Sequence, residues 1–404
     1  MHILYNIGII IYGCLLRFSS LFHDKAKLWV SGRKDLFKKL PTVSNQKTYW
    51  FHCASLGEFD QALPVINLLK EQDSSVYIVV TFFSPSGYLH FHKRNHKADY
   101  VCYLPLDTPS NAKKFVTHFS PEKTFFVKYE FWANYIFEVK KSGGKLYSIS
   151  ALFRQDQCFF KKSGSFFRTI LKQFDLFYVQ NKVSADLLQS IGISNYEITG
   201  DTRFDRVIEN KNNLQGNPIL QNFLGGEKAF IVGSSWPEDE DLVIPLINNG
   251  TIIEKIIIAP HDVSEIHIQN IIKKLQFPFI RYSELEKNNH FKDEKIIILD
   301  TIGNLANAYS YGSYAYVGGG FSGSLHNILE PAVFGLPVIF GPKHKRFPEA
   351  EMFIELGIGF SIQTTDELKS IINKIKMNKA ELKSKTIHFV NQQAGASLKI
   401  VNSI

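Results

Sequence analysis

The chain has 404 residues, 45% hydrophobic and 21% charged, with a formal net charge of +8 at pH 7. That is a normal globular composition, long enough for two domains of ordinary size. Four cysteines (Cys14, Cys53, Cys102, Cys158) show neither metal nor disulfide spacing, and the positive charge comes without a basic low-complexity tail or nucleic-acid motif. A disulfide scaffold is therefore excluded and DNA or RNA disfavoured; a membrane surface or a phosphorylated substrate is the expected anionic partner.

Residues 3–22 form the most apolar stretch, interrupted by Asn6 and Arg17, and about twenty such residues can span a bilayer. No small-residue cleavage site follows, which argues against a removed signal peptide. Lys25, Lys27, Arg33, Lys34, Lys38 and Lys39 come next, with only Asp24 and Asp35 against them. Such a flank reads as cytoplasmic and attracted to anionic lipid. Residues 1–40 are thus expected to anchor the protein, spanning the membrane or lying on it, and the plain alternative is a buried first helix.

From residue 41 to 206, short β-rich runs alternate with helical periodicity, the pattern of a parallel α/β sheet. The spacing predicts strands at Tyr49–Ala54, Val76–Thr81, Tyr100–Tyr103, Thr124–Val127, Lys145–Ile149, Leu176–Val179 and Tyr196–Ile198. Asp107-Thr-Pro109 predicts a helix start, a capping residue with proline just inside. Residues 207–228 are polar and poor in periodicity and are expected to be a linker. A second α/β series fills 229–404, with strands at Ala229–Val232, Lys255–Ala259, Ile296–Leu299, Tyr314–Val317 and Pro337–Phe340 and a last helix from Asp366. Two doubly wound domains facing a central cleft are the expected architecture, with ligands at the carboxyl ends of both sheets.

Several stretches at strand ends carry chemistry. Glu58 follows the first strand, in Ser55-Leu-Gly-Glu58, where a carboxylate free of an adjacent cation is a candidate general base for an alcohol; the plain alternative is an acid favoured by a helix dipole. Glu130, in Lys128-Tyr-Glu130, is a candidate second acid or a cap. Arg203 can clamp a phosphate with its fork or pair with Asp201 or Asp205. In the second half, Gly233-Ser-Ser-Trp-Pro and Val317-Gly-Gly-Gly read as strand, small-residue turn and helix start, with a helix expected near His326. That geometry offers N–H groups to a phosphate. Pro260 and His261, and Ile302, Gly303 and Asn304, also fall at carboxyl strand ends, while Glu330, one turn from Asn327, is placed to accept from a ribose diol.

With these residues assembled, the chain resembles the 3-deoxy-D-manno-octulosonic acid (Kdo) transferases of lipid A biosynthesis. The likeness is carried by Ser55-Leu-Gly-Glu58, Glu130-Phe-Trp-Ala-Asn134, Gly200-Asp-Thr-Arg-Phe-Asp205, Gly318-Gly-Gly and His326-Asn-Ile-Leu-Glu-Pro331. The resemblance implies a GT-B fold of two Rossmann-like domains, with the acceptor on the N-terminal one and CMP-Kdo on the other. It implies inverting transfer onto a lipid A precursor at the cytoplasmic face of the bacterial inner membrane, with no metal or other cofactor. It further implies Glu58 as proton acceptor, with Glu130 and Arg203 stabilising the transition state. Pro260, His261, Ile302, Gly303, Asn304, Asn327, Ile328, Leu329 and Glu330 match CMP-contacting positions. The chain departs from the usual pattern at Lys128, Ala133, Arg203 and Pro260, where many members carry Glu, Pro, Lys and Arg. The rival readings are a membrane-associated GT-B transferase using a UDP-sugar and a non-catalytic nucleotide-binding membrane protein.

Overall fold

The structure is a computed structural model and describes residues 1–43, 46–288 and 290–404. The chain forms two compact units, Met1–Arg206 with Gln393–Ile404, and Val207–Gln392. Each holds one seven-stranded, all-parallel sheet. The strands of the first unit are β1 (Thr48–Cys53), β2 (Tyr77–Phe82), β3 (Tyr100–Tyr103), β4 (Lys123–Val127), β5 (Lys145–Ala151), β6 (Leu176–Val179) and β7 (Tyr196–Ile198), in spatial order β3-β2-β1-β4-β5-β6-β7. In the second they are β8 (Ala229–Ser235), β9 (Ile256–Pro260), β10 (Phe279–Arg281), β11 (Ile296–Ile298), β12 (Gly312–Val317), β13 (Val338–Phe340) and β14 (Gly359–Ser361), ordered β10-β11-β9-β8-β12-β13-β14. Helices cover both faces of a doubly wound sheet, so its inner strands are buried on both sides and read as unbroken apolar runs. Every residue of β1 and of β9 is buried.

Winding reverses between β1 and β4 in the first sheet and between β8 and β12 in the second. Loops leaving the carboxyl ends of strands on either side of such a reversal diverge and open a crevice, the usual ligand position in this architecture. Glu58 follows β1 and Glu130 follows β4, whereas Trp236 follows β8 and the three glycines follow β12.

Three expectations need correction. Residues 207–228 are no linker: the helix Thr202–Asn212 runs through the boundary, and Pro218–Leu224 buries Leu220, Phe223 and Leu224 in the core of the second unit. Three apolar residues in one short turn, capped by Asn217, are too few to show a period. Nor does the chain end on the helix from Asp366. Helices at Thr365–Met377, Lys379–Gln393 and Ala396–Asn402 follow one another, and the last packs Ile400 and Val401 into the first unit's core. The Asp205 carboxylate pins it, accepting the backbone N–H groups of Gly395 (2.5 Å) and Ser397 (2.7 Å). At Asp107-Thr-Pro109 the helix starts as expected, at Pro109, with Thr108 as the cap whose side chain accepts from Asn111. The glycine loop is followed only by a four-residue helix, Leu329–Ala332, and not by one beginning near His326.

The apolar N-terminal stretch is a helix, His2–Ser19, long and apolar enough to cross a membrane by length and composition. The polar residues of its first two turns face the rest of the first unit. Tyr5 donates to Asp107 (2.5 Å), Asn134 donates to the Asn6 side chain (2.8 Å), and His2 lies 2.9 Å from the other oxygen-bearing end of Asn134. At Gly13 the helix approaches so closely that a Cβ would lie 2.5 Å from Leu106. Its apolar side chains Ile3, Leu4, Ile7, Ile10, Ile11, Leu15 and Phe18 are exposed. This is the inverse of an ordinary surface helix, which turns its apolar stripe to the core.

Candidate active site

Glu58 is the third residue of the helix Leu56–Gln72, and the Ser55 side chain caps that helix by accepting the Glu58 N–H. The carboxylate closes the capping box in return: Oε2 accepts from Ala54 and from Ser55, the latter at 3.3 Å. Both bonds go to Oε2, so Oε1 has no hydrogen-bond partner among the described residues. The helix-capping alternative is therefore real, and it leaves one oxygen uncommitted. Burial first and the neighbouring Glu130 second push the acid up to about 7, against the opposing pull of Lys128 and the two N–H groups. Burial also raises Glu130 above the ordinary carboxylate range. Like charges and desolvation act together here, the condition under which one of two acids keeps its proton near neutrality. The loop bearing Glu130 bends back through Lys128, which stands in the left-handed region at φ 59°.

Arg203 opens the helix Thr202–Asn212 and lies on Asp201, through Nε at 2.8 Å and Nη2 at 2.7 Å. The pairing weighed from sequence is thus present. It also ties the arginine to the Glu58 helix, because Gln61, one turn on from Glu58, donates to Asp201 (3.1 Å) and accepts from the Thr202 hydroxyl through its carbonyl (2.7 Å). The Asp201 carboxyl is held below its ordinary value by Arg203 despite its burial.

In the second unit, Asp239 organises the loops at the switch point. Buried in the first turn of the helix Pro237–Asn248, it accepts from Trp236 N–H (2.9 Å), the Tyr316 hydroxyl (2.7 Å) and Gly319 N–H (2.9 Å). The anion cradle expected from the glycines is accordingly reduced. Gly318 N–H goes to Gly233, Ser324 N–H to Gly319 and His326 N–H to Gly318, while the Ser322 hydroxyl donates to Gly319. The glycines serve close approach instead: a Cβ on Gly320 would lie 2.4 Å from the backbone nitrogen of Gly341. Gly320→Ala is expected to cost about 1–3 kcal/mol in the second unit's stability, the usual range for overpacking, read as a lower urea midpoint.

His261 stacks against Trp236 (ring centroids 4.4 Å apart) and lies 4.6 Å from the His326 ring, while Trp236 Nε1 donates to His326 Nε2 (3.2 Å). That bond makes Nε2 the acceptor, and burial with the nearby His261 lowers His326 to about 4, so it is neutral at pH 7. Asn304 accepts from Asn217 (3.3 Å) and donates to Thr301 (3.2 Å), Gly303 takes φ 107°, and Ile302 is exposed. Asn327 donates to Glu330 at 3.3 Å. Ile328 and Leu329 are completely buried, so those two positions have only backbone to offer a ligand. The sequence reading missed Asp239, and missed Trp236 and His326 as partners of His261. Asp239 had a visible signal, an acid three residues after the residue preceding the helix, which is a capping spacing.

Residues 31–206 match the protein-family model described as 3-Deoxy-D-manno-octulosonic-acid transferase (kdotransferase). A 3-deoxy-D-manno-octulosonic acid transferase of Aquifex aeolicus is 27% identical over 357 residues, covering 87% of this chain and 92% of that protein. A bifunctional glycosyltransferase/methyltransferase of Fusobacterium nucleatum subsp. nucleatum is 24% identical over 371 residues, covering 88% of this chain but only 56% of that longer protein. Among solved structures, MurG from Acinetobacter baumannii aligns with a TM-score of 0.55 at 11% identity, covering 89% of this chain and 99% of that one, a likeness of fold alone. The two doubly wound parallel sheets are those of the GT-B fold.

Proposed function

We propose that this chain is a 3-deoxy-D-manno-octulosonic acid (Kdo) transferase, a reading supported by its likeness to that family, and that it moves Kdo from CMP-Kdo onto a hydroxyl of the lipid A precursor with Glu58 as general base. The observation that carries the reading is a buried carboxylate at the first sheet's switch point, raised to about 7 by burial and Glu130, with one oxygen uncommitted. An acid of that strength is half deprotonated at neutral pH and strong enough as a base to take a proton from an alcohol during attack.

In the proposed step the acceptor O–H proton passes to Glu58 Oε1 as the oxygen bonds to the anomeric carbon, and the bond from that carbon to the CMP phosphate oxygen breaks. One displacement inverts the anomeric centre, and CMP leaves with the electron pair. No enzyme nucleophile or metal is needed, only charge stabilisation of the departing phosphate. Arg203, oriented by Asp201, is assigned that role, and Glu130 the role of keeping Glu58 weakly acidic. For CMP we assign Pro260 and His261 on the Trp236 platform to the base, and Asn304, Asn327 and Glu330 to the nucleoside and ribose. Ile302 and Gly303 shape the loop, and Ile328 and Leu329 act through their backbone.

The outward apolar face of the helix His2–Ser19 and the basic residues after it favour docking on the cytoplasmic face of the inner membrane. A helix bound along its length to the first unit is better placed to lie in the interface than to span. Ile7→Asp with Ile11→Asp is expected to abolish flotation with anionic vesicles while leaving the melting temperature within a few degrees, since both residues are exposed. Retained flotation would remove the docking role.

The reading is tested by transfer from CMP-Kdo in EDTA across pH. With Glu58 active as carboxylate, kcat/KM is expected to rise as pH increases through about 7 and then level off. A flat profile, or loss of transfer in EDTA restored by a divalent metal, would contradict it.

A further inference from the structure

The first unit contains a cavity of about 690 Å³ between the N-terminal helix, the basic segment after it and the loop following β3. This lies within the range of small-ligand sites, roughly 300–1,000 Å³. Five basic side chains line it, Arg17, Lys27, Arg33, Lys34 and Lys38, against one acid, Asp35. Lys38 is paired with Asp35 at 2.8 Å. Arg33 is half-buried and donates to three backbone carbonyls, those of Leu104 (2.8 Å), Trp29 (3.0 Å) and Phe83 (2.8 Å), with its guanidinium 3.8 Å from the Trp29 ring centroid. It makes no ion pair with a carboxylate among the described residues. Burial lowers it to about 9, so it stays charged at pH 7 without a carboxylate to offset it, and an anion brought beside it would stabilise that charge.

We infer that this cavity is a binding site for the phosphate of a membrane-lipid headgroup. The argument rests on the membrane-facing reading of the N-terminal helix. Arg17 and Ser20 reach the cavity from the helix and the turn after it, while Leu15, Phe18, Leu21 and Phe22 beside them are exposed. An anion hole bordered by an unpartnered apolar face matches a phosphate carried on acyl chains better than a free phosphate ion, which gains nothing from the apolar border. Leu106 and Asn111 place the cavity at the carboxyl edge of the sheet that carries Glu58, with β3 two strands from β1. Both bulk anionic phospholipid and the phosphorylated acceptor supply this chemistry.

The test uses the full chain and two paired variants of equal charge change: Lys27→Gln with Lys34→Gln inside the cavity, and Lys25→Gln with Lys39→Gln outside it. All four lysines are exposed, so both pairs should fold as the wild type does. Binding is read by flotation with phosphatidylcholine vesicles containing phosphatidylglycerol. The cavity pair is expected to weaken binding about tenfold more than the outer pair, beyond the diffuse attraction any surface lysine contributes. Equal losses would overturn the site and leave only a diffuse basic surface. The acceptor's KM in detergent micelles then identifies the source. A rise in KM confined to the cavity pair, absent with dephosphorylated acceptor, assigns the acceptor's phosphate; an unchanged KM with lost flotation assigns bulk phospholipid. If the wild type transfers no Kdo, the transferase reading fails while the flotation result still decides the site.

Discussion

Glu58→Gln is expected to lower kcat by about 10³-fold, the usual scale for losing a positioned general base, and to leave the fold intact. The amide can keep the Oε2 role in the capping box by accepting from Ala54 and Ser55, so the helix start survives. Stability gives an independent sign. The folded state raises this carboxyl from 4.5 to about 7, so it favours the neutral form. The stability linked to that proton is fully present below pH 4.5 and is lost as pH rises through about 7. The wild type therefore bears up to about 3 kcal/mol of penalty at pH 8 that the glutamine variant lacks. Thermal melts at pH 5 and pH 8 should show the variant gaining on the wild type at the higher pH. A variant that is inactive and also destabilised at pH 8 would point to a structural role only.

Asp239→Ala is expected to unfold or loosen the switch-point loops of the second unit. It removes one buried acceptor from three donors, Trp236 N–H, the Tyr316 hydroxyl and Gly319 N–H. Each orphaned buried donor costs about 1–3 kcal/mol, so a loss of roughly 3 kcal/mol or more is expected. Hydrogen exchange should accelerate in residues 312–328 first, and the donor KM should rise before the acceptor KM does. Protection and donor KM like those of the wild type would mean that the glycine loop holds its shape without the carboxylate.

These two residues also mark how far sequence reasoning reached. The inner strands were legible because burial on both faces leaves continuous apolar runs such as Ile256–Ile258. The edge strands Phe279–Arg281 and Gly359–Ser361 were not, although the equally short edge strand Tyr196–Ile198 was. Glu58 was legible as an acid at a strand end. Its altered acidity was not, because burial and Glu130, on a different strand's loop, produce it. The glycine loop suggested free N–H donors, yet Asp239 and the loop's own carbonyls occupy several of them. Hydropathy marked residues 3–22 as apolar but could not show that Tyr5 and Asn6 point inward, because their partners Asp107 and Asn134 lie far along the chain. Asp107, which a local reading makes a cap for its own helix, instead accepts from Asn134 (3.2 Å) and Tyr135 (3.1 Å) at the start of another.

The most direct measurement is incubation of purified wild type and Glu58→Gln with CMP-Kdo and tetraacyl lipid A precursor in EDTA, followed by mass analysis of the lipid. The expected result is a lipid heavier by whole Kdo units from the wild type alone, with CMP released in equal number. An unchanged lipid from the wild type, or equal product from both proteins, would contradict the assignment of Glu58 as the base of a Kdo transfer.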